Sequence, residues 1–106
     1  MLYEEYLQIP EDRRLEQANA HKRDKPRHVP VLMIQSIDGR SRVTRLLFPK
    51  TYLVENVLHY MRKENPVGFS ESLYLYAGPR LLRQTDMVGD IFDRFCDRDG
   101  ALHLQL

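Results

Sequence analysis

Cysteine is almost absent from this sequence, and its one copy excludes several classes of protein. Among 106 residues there is only Cys96, so no internal disulfide can form. Cysteine and histidine also never occur together at the spacing of zinc ligands. We therefore expect a reducing, cytoplasmic compartment and no metal site.

Long hydrophobic runs are also missing. No apolar stretch approaches the roughly 18 residues that a membrane span requires. The first residues, MLYEEYLQIPEDRR, have no hydrophobic centre of the kind found in a signal peptide. Membrane contact is thus expected to be indirect or to come from a covalent lipid.

Charge of one sign is not in excess. The net charge of +1 gives no overall field that would attract nucleic acid, so no nucleic acid is expected as a partner. A content of 42% hydrophobic and 29% charged residues is ordinary for a globular protein and argues against disorder. The length fits a single domain.

Motifs for catalysis or for a cofactor are absent as well, since neither phosphate-binding glycine pattern occurs. Cys96 with His103 as its base would make a nucleophile, but the aspartates around Cys96 would raise the pKa of its thiol. Asp93, Asp97 and Asp99 have a spacing that could suit calcium, yet no glutamate closes a loop, which favours a solvated helix end. We predict no enzyme and no cofactor.

Residues 1–27 differ in composition from the rest of the chain. MLYEEYLQ could form a short helix, and a second helix would open at Pro10 and be stopped by Pro26. That helix has few apolar residues, so it should lie on the surface of something larger. We predict an N-terminal helical extension, 1–27, on a compact core, 28–106.

This extension carries several basic side chains, which allow two interpretations. One is a solvated helix face, because acidic residues are interspersed and balance them. Alternatively they could contact an acidic surface such as tubulin or anionic lipid. The residues concerned are Arg13, Arg14, His21, Lys22, Arg23, Lys25 and Arg27, with His28 directly after the extension.

The pattern after residue 28 alternates between strands and helices. VPVLMIQSI is almost continuously apolar, which is typical of a central strand, and Asp38-Gly39 indicates a two-residue hairpin. The order favours an α+β, ubiquitin-like β-grasp fold with a four-stranded mixed sheet and a crossing helix. The predicted later elements are a strand RSRVTRLLF, a helix 51–64 ended by Asn65-Pro66 and Gly68, a strand 72–78, a helix 85–100 and a last strand ALHLQL.

The strand RSRVTRLLF combines exposed charge with apolar residues. Alternation places Val43, Arg45 and Leu47 on one face and Thr44, Leu46 and Phe48 on the other. As a sheet edge it could pair with an incoming extended peptide, with pockets beside it. It could equally be a plain edge whose arginines prevent self-association. The residues alone leave both interpretations open.

Several short segments, in order and over nearly the whole chain, resemble the autophagy ubiquitin-like modifiers, the family of microtubule-associated light chain 3 and the GABA-receptor-associated protein. RHVPV, 27–31, resembles the family's "DRIPV", and LLFPK, 46–50, is similar to its "YLVP". HYMRKE, 59–64, looks like "xIRKR", and DMVGDIFDRFCDRDGALHL is similar to "xMxxLYxxxxDxDGFLYx". Pro10 and Pro26 match the helical prefix of this family.

The resemblance implies two pockets beside the second strand, which receive the aromatic and aliphatic residues of a W-x-x-L-type peptide added as an extra strand. By position, the aromatic pocket would involve Gln17, His21, Pro30, Arg45, Leu47 and Ala101. The aliphatic pocket would involve Leu46, Phe48, Pro49, Tyr52, Val57 and Tyr60. Arg42, Lys50 and Arg62, together with Arg45, would meet acidic groups of the partner.

The sequence departs from the family at three of these positions. His21 replaces an aliphatic residue, while Ala101 and Val57 replace phenylalanines. The aromatic pocket is therefore expected to be shallower or more polar, and whether it accepts tryptophan is open. If His21 lines the pocket, peptide binding should depend on pH.

The C-terminus is the largest departure. The sequence stops at Leu106, whereas the family continues to a glycine that activating and conjugating enzymes join to phosphatidylethanolamine. We expect lipidation, and attachment to autophagosome membranes, only if a longer native C-terminus supplies that glycine.

The first interpretation is thus a cytoplasmic, non-enzymatic autophagy adaptor that binds short motifs of cargo receptors or autophagy machinery. The alternative is a microtubule- or cytoskeleton-associated module that uses the basic N-terminal helices. A modifier joined to a protein lysine is a third, which the helical prefix disfavours.

Overall fold

The computed structural model describes residues 1–64 and 73–106. The predicted helix end at Asn65-Pro66 and Gly68 lies outside these residues, as does the first residue of the predicted strand 72–78. Four helices are described: α1 (Tyr3–Gln8), α2 (Glu11–Asp24), α3 (Val54–Glu64) and α4 (Val88–Phe95). The strands are β1 (His28–Ile37), β2 (Arg40–Pro49), β3 (Tyr76–Ala77), β4 (Arg80–Leu81) and β5 (Leu102–Gln105).

The sheet is mixed, and its order in the described part of the chain is β2-β1-β5-β3-β4. Strand β1 pairs antiparallel with β2 and parallel with β5, so it is the central strand that its apolar run predicts. Helix α3 lies between the β1–β2 hairpin and β3 in the sequence, as the crossing helix of a β-grasp fold does. The predicted α+β class and topology are confirmed.

Three details of the prediction are wrong. The predicted helix 51–64 begins only at Val54. The described sheet has five strands rather than four: within the predicted strand 72–78 the structure has only β3, and the turn at Gly78-Pro79, with Gly78 at φ 59°, leads into an additional strand, β4. The predicted helix 85–100 is shorter at both ends. It stops before Cys96, whose backbone is extended, and a turn from Asp97 to Gly100 leads into β5.

The β1–β2 hairpin turns at Asp38-Gly39, as predicted. Both residues have positive φ, 52° and 76°, which the primed two-residue turn requires and which glycine and aspartate tolerate. The register then runs without a bulge from the pair Ile37 and Arg40 to the pair His28 and Pro49. Pro30 lies opposite Leu47 in this register.

The central strand β1 is buried on both faces. Val29, Val31 and Met33 point into a core cluster that also contains the apolar side chains of α3 and α4. Leu32 and Ile34 are equally buried but face the other way, toward the side that α1 and α2 cover. The N-terminal helices therefore form a second layer on the sheet.

Candidate functional site

Strand β2 lies at the edge of the sheet, and its peptide groups alternate in direction. The Lys50 N–H, just beyond the strand, donates to the Arg27 carbonyl on the β1 side. The Val43 N–H instead points away from β1 and donates to the Met1 carbonyl at 2.9 Å. Along a strand, the N–H and C=O groups of successive residues point alternately to one side and the other. Those of Arg45 and Leu47 therefore face outward, like those of Val43. They can receive an additional strand.

The side chains of β2 divide between the two faces of the sheet. Residues opposite each other in a register share a face, and Leu47 lies opposite the buried Pro30 while Phe48 lies opposite Val29. Leu47 and Arg45 are therefore on the side of α1 and α2, and Phe48 and Leu46 are on the side of α3. The edge of β2 thus separates two possible pockets.

A cavity of about 350 Å³ extends around this edge and reaches both faces. All six residues predicted for the aromatic pocket line it, and so do five of the six predicted for the aliphatic pocket. Val57 is the sixth. It points from α3 into the hydrophobic core, is completely buried and offers no surface to a partner. Sequence reasoning missed five lining residues: Tyr6, Arg14, Ala18, Val31 and Leu32.

The part of the cavity beside α2 is rich in polar and charged groups. The guanidinium carbons of Arg45 and Arg14 lie 5.5 Å and 5.3 Å from the centroid of the Tyr6 ring. Gln17 and His21 are exposed along the rim. Ala101 is 7% exposed and leaves room where a larger side chain would fill the cavity. This side suits an aromatic side chain that carries a hydrogen-bond acceptor, or one that is preceded in the peptide by a residue with such an acceptor.

The part of the cavity beside α3 is aromatic and aliphatic. Phe48 is 3% exposed and packs edge-on against Tyr60, with ring centroids 5.5 Å apart. The centroid of the Tyr52 ring lies 6.0 Å from that of the Phe48 ring. Leu46 and Pro49 complete a surface that suits a branched aliphatic side chain.

The three residues predicted to supply further charge are not part of the lining of the cavity. Arg42, Lys50 and Arg62 are all exposed. Arg42 also pairs with Leu2 through an isolated antiparallel bridge, so the N-terminal segment lies beside it. These side chains can reach acidic residues of a partner only outside the pockets themselves.

Asp99, which the sequence pattern assigned to a solvated helix end, is instead completely buried. Its carboxylate accepts hydrogen bonds from the Tyr6 hydroxyl at 2.8 Å, from Arg14 Nη1 at 3.0 Å and from the Ala101 N–H at 3.0 Å. Nε2 of His103 lies 2.8 Å from the same carboxylate. Asp99 therefore ties α1, α2 and β5 together directly behind the cavity.

The electrostatics of this cluster follow from burial and hydrogen bonding. Burial alone would raise the pKa of Asp99, but hydrogen bonds from His103, the Ala101 N–H and Tyr6 outweigh it and hold the pKa well below its usual value. Burial, together with the bond to Asp99, raises the pKa of Tyr6 to about 12. Asp99 thus stays ionised and Tyr6 stays protonated at neutral pH.

Asp97, Asp99 and His103 also form a group whose possible ligand atoms lie within 4.8 Å of one another. A cation there would have to displace Arg14, which already neutralises Asp99. Because a carboxylate only accepts, His103 Nε2 is the donor to Asp99, and Nδ1 of the same ring lies 3.2 Å from the Tyr3 hydroxyl oxygen. The group is therefore arranged as a hydrogen-bond network.

Cys96 lies at the end of α4 with its side chain exposed. Partial burial of the sulfur raises the pKa of the thiol; Lys22 opposes this shift, whereas neighbouring aspartates add to it. The thiol contacts the Asp97 carbonyl at 3.3 Å, and both ring nitrogens of His103 already have other partners. This environment does not favour a thiolate.

No described helix is both long enough and apolar enough to cross a membrane. No protein-family model matches the sequence, and no curated protein matches it either.

Two solved structures share the fold over almost the whole chain. Trypanosoma brucei ATG8 is 20% identical with a TM-score of 0.74, covering 93% of this chain and 88% of its own. Plasmodium falciparum Atg8 in complex with a Plasmodium falciparum Atg3 peptide is 14% identical with a TM-score of 0.74, covering 92% and 89%. The fold that the family resemblance implies is confirmed: it is the ubiquitin-like fold of Atg8 proteins.

Proposed function

We propose that this chain is a non-enzymatic, ubiquitin-like autophagy protein of the Atg8 type, which binds W-x-x-L-type peptides by adding them as a strand to β2. The observation that supports this most is the cavity around the edge of β2, at the point where the backbone groups of Arg45 and Leu47 face outward.

The spacing of the motif fits this geometry. Side chains of an extended peptide alternate between faces, so two residues three positions apart point to opposite sides. An aromatic residue and an aliphatic residue at that spacing would enter the two parts of the cavity, which lie on opposite faces of β2. Strand addition supplies affinity through main-chain hydrogen bonds, and the pockets supply specificity.

The direction of the peptide also follows. The predicted aromatic pocket involves Arg45 and Leu47, whereas the aliphatic pocket extends past the end of β2 to Tyr52. Since the aromatic residue comes first in the motif, the peptide should run parallel to β2. Its upstream residues then lie near Arg42, and acidic residues there would be attracted to Arg42 and Arg45.

The likeness to solved Atg8 proteins adds independent support. One of them was solved in complex with a peptide of Atg3, so a fold of this kind accepts a peptide of the autophagy machinery. We propose cargo receptors and autophagy machinery as the partners, and the cytoplasm as the location. Membrane attachment through phosphatidylethanolamine remains a prediction for a longer native C-terminus that carries a glycine.

Proline substitutions test strand addition separately from side-chain contacts. Proline at position 45 or 47 removes only an N–H that faces away from β1, so the sheet should tolerate it as edge strands do. Alanine at the same positions removes the side chain but keeps the N–H. Affinity for an acidic W-x-x-L peptide, measured by calorimetry, should fall about fivefold more for each proline variant than for its alanine control, since one net hydrogen bond contributes about 1 kcal/mol.

Equal losses for proline and alanine would contradict strand addition and leave only side-chain contacts. Unchanged affinity in all four variants would place the binding site elsewhere.

The cytoskeletal alternative stays a prediction. Two basic side chains of α2 are engaged within the fold, because Arg14 bonds to Asp99 and the Lys22 amine lies 4.7 Å from the Phe92 ring centroid. Steeply salt-dependent cosedimentation with microtubules, lost on removing residues 1–27, would favour it.

A further inference from the structure

The first two residues occupy part of the edge that the proposed function uses. The Met1 carbonyl accepts the outward-facing Val43 N–H at 2.9 Å, and Leu2 forms an antiparallel bridge with Arg42. Val43 is the outward-facing position immediately before Arg45. Among the described residues, Met1 and Leu2 are the ones that pair with this side of β2.

This segment is held in place by the fold behind it. The Leu2 carbonyl accepts the Tyr6 N–H at 3.0 Å, and the Leu2 N–H donates to Glu5 Oε1 at 3.1 Å. Helix α1 is in turn anchored through Tyr6, which is 4% exposed and bonded to the buried Asp99. The backbone of Leu2 is therefore held beside β2 by its hydrogen bonds to α1 and by the anchoring of that helix.

The tip of the segment is held much more weakly. Met1 is 57% exposed, so its side chain buries little apolar surface against the sheet. Among the described residues, the backbone of Met1 makes one hydrogen bond to β2, in which its carbonyl accepts the Val43 N–H. A contact of this kind can be exchanged for a similar one with another chain, because the net gain from one hydrogen bond is small.

We propose that Met1 and Leu2 act as an intramolecular strand that limits the docking edge. They would confine a bound peptide to pairing with Arg45 and Leu47 and force its upstream residues out of the sheet at Val43. This inference rests on the proposed function and adds a regulatory element to it. Displacing the segment extends the edge by one outward-facing position and so favours longer peptides.

The geometry of a parallel peptide makes the competition specific. Parallel strands advance residue for residue, so a peptide whose aromatic residue lies opposite Leu47 places the residues about two and about four positions upstream of it opposite Arg45 and Val43. A short peptide that begins at the aromatic residue should therefore be indifferent to Met1 and Leu2. A long peptide with four further upstream residues should compete with them.

The first measurement needs no peptide. Amide exchange of the intact protein, followed by NMR, should show the Val43 N–H protected relative to the outward-facing N–H groups of Arg45 and Leu47. Protection should disappear when Met1 and Leu2 are removed by cleaving a fusion immediately before Tyr3. Equally fast exchange of all three amides in the intact protein would overturn the proposal.

The second measurement compares peptide affinities by calorimetry. Removing Met1 and Leu2 should tighten the long peptide about fivefold, the factor that one net backbone hydrogen bond supplies, and leave the short peptide unchanged. Leu2→Ala is the matched control, because it trims the side chain and keeps the Met1 carbonyl; it should change neither affinity. Val43→Pro in the shortened protein removes the freed N–H and should abolish the gain.

The outcomes separate this inference from the proposed function. If the short peptide binds and truncation leaves the ratio of the two affinities unchanged, the inference is wrong while strand addition stands. An equal change for both peptides indicates a disturbed pocket and also overturns it. If neither peptide binds the intact or the shortened protein, the proposed function and the inference fail together.

Discussion

Replacing Asp99 by asparagine should destabilise the fold strongly, because it breaks a buried charged cluster. Asparagine keeps an oxygen for the Ala101 N–H, but its amide group would face donors from Tyr6, Arg14 and His103. The Arg14 side chain is 11% exposed and would be left without its counter-charge. Removing one partner of a buried ion pair costs about 3–5 kcal/mol. We expect a loss at the lower end, about 3 kcal/mol, since Arg14 keeps some contact with water.

Urea unfolding followed by circular dichroism measures this loss. A decrease of about 3 kcal/mol is a large share of the roughly 5–15 kcal/mol that stabilises a typical domain. Asp93→Asn is the matched control: Asp93 is an exposed aspartate of α4, and the same substitution there should change stability by less than about 0.5 kcal/mol. A loss below about 1 kcal/mol for Asp99→Asn would refute the assignment of Asp99 as a tie between the N-terminal helices and the core.

The pH dependence gives a second test of the same cluster. The pKa of Asp99 is lowered by folding, so the unfolded chain takes up its proton first as the pH falls. The stabilisation is then fully present above about pH 4, the ordinary aspartate value, and is lost progressively below it. The stability difference between the wild type and Asp99→Asn should therefore shrink in acid; a constant difference would contradict this.

Three further predictions concern other residues. Folding raises the pKa of Tyr6 to about 12, so the stabilisation from its hydroxyl is fully present below about pH 10 and is lost as the pH rises from about 10 to about 12. The stability advantage of the wild type over Tyr6→Phe in urea unfolding should therefore shrink above pH 10, and an unchanged advantage would contradict the shift. Gly39 and Gly100 have similar positive φ, but a Cβ at Gly100 would lie 3.0–3.1 Å from side chains of α2, whereas at Gly39 it meets nothing within 4 Å. Gly100→Ala should therefore cost about 1–2 kcal/mol more than Gly39→Ala in the same unfolding assay, and equal costs would count against the close packing of α2. Since His21 lines the cavity, an acidic peptide should bind more tightly at about pH 5.5 than at about pH 8, and His21→Ile should remove the difference; equal affinities of the wild type at both values would refute it.

Local sequence signals predicted the part of the fold that rests on local physics. Asp38-Gly39 specifies its own turn through positive φ, and the continuous apolar run of β1 predicts a strand covered on both faces. The two-residue strands on either side of Gly78-Pro79 are too short to produce a sequence pattern.

The Asp99 cluster could not be predicted in the same way. Its partners Tyr6 and Arg14 are 93 and 85 positions away in the sequence, on an N-terminal extension that was predicted only to lie on the surface of the core. The signal that could have indicated it is Asp99-Gly100 itself. Gly100 has a positive φ of 80° and packs closely against α2. The carboxylate of the preceding residue, Asp99, therefore lies beneath the N-terminal helices.

The candidate site was predicted only through the family resemblance. Alternation along β2 gives its two faces, but which residues of α2 and β5 meet it depends on how the N-terminal layer packs. Val57 shows the limit of carrying positions over: valine is shorter than the phenylalanine it replaces, and it lies wholly within the core. The division into an extension, 1–27, and a core, 28–106, remains a prediction as well.

The measurement that tests the central claim most directly is an NMR titration of the labelled protein with a short acidic W-x-x-L peptide and its double-alanine control. Saturable shifts are expected for the backbone amides of residues 44–49, the neighbours of Pro30 and the segment 52–60, and all of them should be absent with the control peptide. No shifts at millimolar peptide, or shifts confined to surfaces away from β2, would contradict it.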